Sequence, residues 1–444
     1  MVRTRFAPSP TGFMHVGNLR TALYEYLVAK SQNGTFVLRI EDTDQERYVE
    51  GATDVIYNTL QQVGLQHDEG PDIGGEYGPY VQSERKDIYK PYAEQLVREG
   101  KAYYCFCTKE RLESIHQDGE FGGYDRHCRD LPAEEIRKNL DAGMPYVIRQ
   151  RVPLEGSTSF EDAVYGTITI ENKEIEDQVL LKSDGIPTYH FAHIIDDHFM
   201  GTTHVVRGEE WLATLNIHLQ LFRTMGWKAP KYVHTAQLMK MDGGSKRKLS
   251  KRKDPELALD FYNAEGYPVP SVLEYLMTLL NSNFEDWRLA NPTAPMGDFQ
   301  FTTKKMGNSG SLFDIDKLKD VSKNTISVMS ADQVYDEVTA WAKDFDPQLY
   351  TLLTADQQKA KAIFAIGRGG AKPRKDIAIW SEVKDYVAFF YEELFTAASE
   401  YPENVSTQDA LDILTQYRSL YSPADDGETW FNNCLLYTSD AADD

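Results

Sequence analysis

Phe6-Ala7-Pro8-Ser9-Pro10-Thr11-Gly12-Phe13-Met14-His15-Val16-Gly17-Asn18 decides how this chain folds. An extended Val2–Phe6 precedes it and a periodic stretch, Gly17–Ala29, follows, so the string reads as the loop between a strand and a helix. A second extended segment, Thr35-Phe36-Val37-Leu38-Arg39-Ile40, comes next. Strand, crossover helix and strand predict a right-handed parallel unit whose ligands bind at the carboxyl ends of the strands. Ser9, His15 and Glu41 then share one crevice. The helix would turn its positive amino end toward phosphate, and Gly17 would let a flat base or phosphate approach the backbone.

Farther along, the texture changes. Residues 101–188 hold three cysteines and alternating runs such as Pro145–Arg149 and Thr167–Ile170, the pattern of an inserted α+β subdomain. Extended runs return at Val205–Arg207 and Lys231–His234. The parallel-sheet domain is therefore expected in two pieces, 1–100 and 189–255. Amphipathic stretches such as Val272–Asn281 and Val383–Thr396 predict helical bundles after that, over 256–325 and 326–433. Residues 434–444 break the periodicity and read as a non-native tail, with the last bundle truncated.

A chain of 444 residues with 41% apolar and 12% aromatic content is globular and modular. No apolar run is long enough to cross a bilayer, and no apolar stretch follows the basic amino-terminal residues as a secretory signal requires. Four cysteines suit a reducing, cytoplasmic setting. The net charge of −22 argues against a polyanionic partner until its distribution is read: Lys246–Lys253 (KRKLSKRK) is strongly basic.

Three further strings carry chemistry. Lys248-Leu249-Ser250-Lys251-Arg252 places cations after Gly243 and Gly244, which would serve as a hinge. In Arg39-Ile40-Glu41-Asp42-Thr43-Asp44, Asp42 and Asp44 are expected to cap the following helix or bind its amino end rather than a metal, because a calcium loop would need a glycine and a distal glutamate. Asp184–His193 leads through Asp196-Asp197-His198 to Val206-Arg207-Gly208-Glu209-Glu210-Trp211. Histidines at 190, 193, 198 and 204 suit hydrogen bonding or packing better than a metal. Cys105-Phe106-Cys107 and Cys128 are a better zinc candidate, yet a fourth ligand is not evident.

Together these strings resemble bacterial-type glutamyl-tRNA synthetases of class I, from Val2 to at least Leu318. The resemblance implies a Rossmann-like catalytic domain, an inserted subdomain that grips the tRNA acceptor stem, and helical domains that contact the remaining tRNA. It implies that L-glutamate is activated with ATP and Mg2+ and passed to the 3′ end of tRNA(Glu). His15, Lys248 and Lys251 would be catalytic. Arg5, Ala7, Ser9, Glu41, Tyr189, His193 and Arg207 would bind glutamate, Glu41 at its ammonium and the two arginines at its γ-carboxylate; His193 stands where many relatives have asparagine. ATP would be held by Pro8, Thr11, Gly12, His15, Gly17, Asn18, Glu210, Trp211, Leu238, Met239, Lys248, Leu249, Ser250, Lys251 and Arg252. Arg374 falls where the family places an anticodon-reading arginine. Some relatives bind structural zinc with a fourth ligand at the position of Asp130, next to which His127 lies; no metal ligand is assigned here. A monomer is expected. Two rivals are a paralogue that glutamylates a modified tRNA base, which lacks a helical carboxyl-terminal third, and a silent tRNA-binding module, against which His15, Glu41, Arg207 and Lys251 speak. Whether tRNA(Gln) is also charged is left open.

Overall fold

Arg3–Phe6 (β1) and Thr35–Leu38 (β2) pair in parallel, in register from Arg3 with Thr35 to Phe6 with Leu38. The structure is a computed structural model that describes residues 1–117, 123–396, 405–426 and 429–430, so the tail 434–444 lies outside it. Helix α1, Val16–Lys30, crosses between the two strands. Val16, Leu19, Ala22, Leu23, Leu27 and Val28 are all buried, so the helix is wrapped by core on nearly every side rather than along one stripe. Truncating Leu23, which is fully buried, would cost roughly 2–5 kcal/mol.

Two helices, α2 (Ala52–Gln62) and α3 (Lys86–Arg98), lead into the middle of the chain. There β3 (Ala102–Cys105), α4 (Lys109–Gln117), α5 (Ala133–Asp141) and β4 (Val147–Gln150) precede a hairpin of β5 (Ser157–Asp162) and β6 (Gly166–Glu171), then β7 (Val179–Leu181). β3, β4 and β7 form an antiparallel sheet of their own. The hairpin does not join it. Past α6 (Tyr189–Phe199) come β8 (His204–Gly208), α7 (Leu212–Met225) and β9 (Lys231–Thr235), with β8 and β9 parallel. β5 pairs beside β9 through Asp162 and Tyr232, giving the order β6-β5-β9-β8. On the other flank, Thr203 N–H donates to Arg3 O at 2.9 Å, tying the start of β1 to the start of β8.

The basic run forms a second hairpin, β10 (Leu238–Asp242) and β11 (Ser245–Lys248). Gly243 and Gly244 are its two turn residues, with φ of +56° and +91°. Their left-handed backbone closes a tight turn whose twist suits the strands, so they fix the register of the hairpin.

Helices α8 (Leu259–Glu265), α9 (Val269–Leu280) and α10 (Phe284–Ala290) follow, then a short strand β12 (Ser311–Leu312) parallel to β10. Beyond it lie α11 (Ile315–Ser327), α12 (Ala331–Phe345), α13 (Pro347–Ala355) and α14 (Gln357–Ala365). Small residues let α9 and α11 approach: Ser322 Oγ donates to Ala378 O at 2.5 Å and lies 3.1 Å from Ser271 Oγ. All of this belongs to one compact unit, Met1–Val383.

A second unit begins at Lys384. The helix expected over Val383–Thr396 is short: α15 spans Val383–Val387, and a 3-10 turn covers Ala388–Phe390. Phe389, Phe390 and Tyr391 succeed one another there, each of low helix propensity, and Tyr391 takes extended backbone while burying its ring. α16, Thr407–Leu420, starts on a capping box between Ser406 and Asp409.

Candidate active site

The carboxyl ends of β1, β2 and β8 open onto a cavity of about 900 Å³. Arg5, Ala7, Pro8, Ser9, Thr11, Gly12, His15, Asn18, Glu41, Tyr189, Arg207, Glu210, Trp211 and Lys251 all line it. Of the remaining candidates, Gly17, His193, Leu238, Met239, Lys248, Leu249, Ser250, Arg252 and Arg374 do not.

His15 caps α1. Its Nδ1 accepts from the N–H groups of Gly17 at 3.1 Å and Asn18 at 3.3 Å, while Asn18 Oδ1 accepts from His15 N–H at 3.2 Å. An imidazole here does what serine or threonine does in most capping boxes. Because Nδ1 is committed as an acceptor, a neutral ring carries its proton on Nε2. Burial, with Lys251 and Lys248 nearby, pushes the ring down to about 4, so it is neutral at pH 7. Gly17 is explained by the same ring: a Cβ on it would stand 3.0 Å from His15 Nδ1 and Cε1. Close approach is needed, but to the histidine of the chain itself. Across the cavity, a Cβ on Gly12 would stand 3.7 Å from Lys251 Nζ.

Ser9 Oγ donates to Glu41 O at 2.5 Å, joining the loops after β1 and β2. Glu41 accepts from Arg39 Nη2 at 2.7 Å and Nε at 3.2 Å. Burial raises its carboxyl above the usual range against the pull of Arg39 and Arg5. Asp42 does not cap the turn that follows it; its Oδ1 accepts from Ser83 N–H at 2.8 Å, at the later turn Gln82–Arg85. Asp44 caps nothing through its side chain and pairs with Arg47.

On α6, Tyr189, His193 and Asp197 follow at four-residue intervals and so share one face. Asp197 Oδ1 accepts from Arg39 Nη1 at 2.9 Å and Arg5 Nε at 3.1 Å. Burial pushes that carboxyl up, but Arg5 and Arg39 outweigh it and hold Asp197 below the usual range. Arg5 Nη1 also reaches Glu25 Oε1 at 3.3 Å, and Nη2 donates to His193 Nδ1 at 3.3 Å. His193 is thus a neutral packing and hydrogen-bonding group under the cavity, stacked on Tyr189 at 5.4 Å.

Arg207 is held differently. Its Nε donates to His234 Nε2 at 3.0 Å, Nη1 to His218 Nδ1 at 3.4 Å and Nη2 to Trp211 O at 3.5 Å. Among the described residues no carboxylate lies within ion-pair distance of it. A buried guanidinium without a counter-charge awaits an anion.

The basic loop is anchored by a residue the sequence reading overlooked. Asp254 accepts from Arg247 Nη1 at 2.6 Å, Arg247 Nη2 at 2.8 Å and Ser250 N–H at 2.8 Å. Hydrogen bonds from Arg247 hold its carboxyl far below the usual range. Leu249 N–H donates to Leu238 O at 3.1 Å and Phe313 N–H to Met239 O at 2.7 Å, so both of those carbonyls are used by the sheet. Arg374, on an exposed loop, pairs with Asp376 at 2.6 Å.

Among the described residues the other histidines form no group of metal ligands. His190 Nδ1 lies 3.0 Å from His218 Nε2, His198 stacks on Trp227 at 3.9 Å, and His204 Nδ1 lies 2.9 Å from Thr203 Oγ1. The three thiols do converge: ligand atoms of Cys105, Cys107 and Cys128 lie within 4.8 Å of one another. Asp130 is drawn off by Arg151 at 2.8 Å, whereas Tyr124 Oη stands 3.3 Å from Cys105 Sγ and 3.8 Å from Cys107 Sγ. Burial and the neighbouring thiols push Cys107 up to about 12, whereas burial at Cys105 is outweighed by hydrogen bonds, first from Tyr124, that hold its thiol below the ordinary range. This donor set fits a soft divalent metal. Tyr124 carried no sequence signal, because a phenol has no ligand spacing to recognise.

Residues 1–320 match the family of class I tRNA synthetases (E and Q), catalytic domain. A glutamate–tRNA ligase from Acetivibrio thermocellus is 47% identical over 98% of this chain and 82% of its own length. One from Sorangium cellulosum is 40% identical over 96% of this chain and 82% of its own. Among solved structures, a glutamate tRNA ligase from Elizabethkingia meningosepticum in complex with its amino acid superposes with a TM-score of 0.82. It is 32% identical and covers 99% of this chain and 90% of its own. With a parallel crevice, a histidine-capped helix and a lysine at its mouth, this chain belongs to the glutamate–tRNA ligase family of class I aminoacyl-tRNA synthetases.

Proposed function

We propose that the cavity joins L-glutamate to tRNA(Glu) in two steps. The α-carboxylate of glutamate attacks the α-phosphate of ATP and pyrophosphate leaves; the terminal adenosine of tRNA then takes the glutamyl group and AMP leaves. The observation that carries the reading is Arg207, a buried cation without an acidic partner among the described residues, suited to the γ-carboxylate of glutamate. Glutamine would leave that charge unanswered and bind worse. Glu41 would meet the substrate ammonium.

At the mouth, Nε2–H of His15 and the ammonium of Lys251 would face the phosphates, where negative charge grows as pyrophosphate departs. Magnesium would enter with ATP and neutralise phosphate charge. Among the residues assigned to the site none is a covalent nucleophile, so positioning and electrostatics carry the rate. Segment 101–188 would grip the acceptor stem, and the helices of 256–325 and 326–433 the rest of tRNA, Arg374 among the anticodon contacts. Cys105, Cys107 and Cys128 would hold a structural zinc, with Tyr124 as the nearest fourth donor.

Pyrophosphate exchange in the presence of tRNA tests the reaction. Lys251→Ala should lower the exchange rate by roughly a hundredfold while glutamate affinity barely moves. An unchanged rate removes Lys251 from the mechanism. Charging assays with purified tRNA(Glu) and tRNA(Gln) show which tRNAs are accepted.

A further inference from the structure

Behind Arg207 runs a chain of hydrogen bonds that no catalytic step uses. Asp162 lies at the end of β5, where its Oδ1 accepts from the N–H groups of Val164 at 2.9 Å and Tyr165 at 3.0 Å. Its Oδ2 is 2.6 Å from Nδ1 of His234, on the neighbouring β9. His234 Nε2 in turn lies 3.0 Å from Arg207 Nε. All three residues are buried.

The donors and acceptors permit one arrangement. Arg207 Nε is always a donor, so His234 Nε2 must accept and cannot carry a proton. The ring proton then sits on Nδ1, where the Asp162 carboxylate accepts it. His218 obeys the same logic, since Arg207 Nη1 can only donate to its Nδ1, which places the proton of His218 on Nε2, 3.0 Å from His190 Nδ1. Two neutral rings therefore fix the guanidinium in direction without taking its charge. An acid in either place would fix it too, but would answer the charge before the substrate arrived.

We infer that Asp162 and His234 are positioning residues for glutamate selection, holding Arg207 rigid and uncompensated through an enforced histidine tautomer. Burial, with Arg207 adding to it, keeps His234 below its ordinary range, consistent with a neutral ring. The inference rests on the reading that Arg207 meets the γ-carboxylate.

Asp162→Asn tests it with little change of shape. The carboxamide carbonyl of this variant can still accept from Val164 and Tyr165, but its amide group then donates toward His234 Nδ1. The ring must move its proton to Nε2, where it opposes the N–H of Arg207. We expect the glutamate KM to rise on the order of tenfold to a hundredfold, with the preference for glutamate over glutamine narrowed by a similar factor. The KM for ATP should hold within about twofold. His234→Gln, which keeps an acceptor near the position of Nε2, should retain more glutamate affinity than His234→Leu. Nitrogen-15 NMR of histidine-labelled full chain, with the His234 signal assigned by its loss in His234→Gln, should report the Nδ1–H tautomer in the unmodified chain and Nε2–H in Asp162→Asn. Equal behaviour of the Gln and Leu variants, an Nε2–H ring in the unmodified chain, or an ATP KM that rises as much as that for glutamate would overturn the inference. Arg207→Ala separates the two levels. If it leaves glutamate selection intact, the reading of Arg207 fails; if it destroys selection while Asp162→Asn does not, only the positioning role fails.

Discussion

Arg5 and Arg207 line the same cavity and are equally hidden, 4% and 5% exposed, yet their surroundings are opposite. Arg5 sits among acids: Asp197, Glu25 and, beyond Arg39, Glu41. Arg207 sits among histidines, Trp211 and Tyr232, whose ring lies 5.2 Å from its guanidinium carbon. A cation ringed by acids is part of the scaffold; one ringed by neutral groups is an unanswered charge. The sequence reading assigned both the same task at the γ-carboxylate. Arg5 already has an ion pair with Asp197 at 3.1 Å, whereas Arg207 has none among the described residues, so the task proposed at the γ-carboxylate falls first to Arg207.

The sharpest way to break this contrast is to remove each arginine in turn. Arg5→Ala leaves the buried Asp197 carboxylate without one of its two cations and should cost about 3–5 kcal/mol of stability in urea unfolding. Arg207→Ala should leave stability within about 1 kcal/mol but lower kcat/KM for glutamate on the order of a hundredfold to a thousandfold. If both variants lose stability alike, or both lose only activity, the distinction between scaffold and site is wrong.

Glu25 gives a smaller, pH-dependent effect. Burial pushes its carboxyl up to about 8, outweighing Arg5 and the N–H of Val206. A raised carboxyl means that the folded state holds its proton longer than the unfolded state. The contribution is full below the ordinary carboxylate range and is lost as pH rises toward about 8. Glu25→Gln cannot ionise, so it should gain on the unmodified chain by on the order of 1 kcal/mol between pH 5 and pH 9. Parallel stability curves would show that the folded carboxyl titrates normally.

His15 extends the pattern of a neutral imidazole used for position. With a folded value near 4, its stabilising cap is present above its ordinary range and fades as pH falls through about 4, because a protonated Nδ1 cannot accept from Gly17 and Asn18. Asparagine is also a good cap and does not titrate. His15→Asn should therefore lose roughly 1 kcal/mol less than the unmodified chain between pH 7 and pH 4, measured by urea unfolding. An identical loss would place the cap elsewhere.

Much of this was legible in the order of residues. The loop from Phe6 to Asn18 announced a strand, a turn and a helix because prolines, glycines and apolar spacing act locally, while Glu41, Tyr189, Arg207 and Lys251 were singled out by separate strings that resemble those of the family; all four line the cavity. What stayed hidden depends on partners distant in the chain. Nothing near Arg39 shows that Asp197 will meet it, and Asp162 reaches Arg207 only because β5 lies against β9. Asp254, next after the basic run, anchors it only because Arg247 folds back on it. The helix at Val383–Thr396 failed for a local reason: apolar spacing was read without the low helix propensity of three successive aromatics.

The histidine that caps α1 has a consequence for how such a position can change over generations. One ring atom serves the helix end and the other is left to the cavity that the ring lines, so under the proposed function a substitution at 15 is judged twice by selection. Replacements good enough for the helix, such as asparagine or serine, still forfeit the outward N–H geometry, and groups that could restore a donor toward phosphate, such as lysine, cannot accept from Gly17. A replacement has to satisfy the helix end and the cavity at once, which narrows the choice at 15 more than either use would alone.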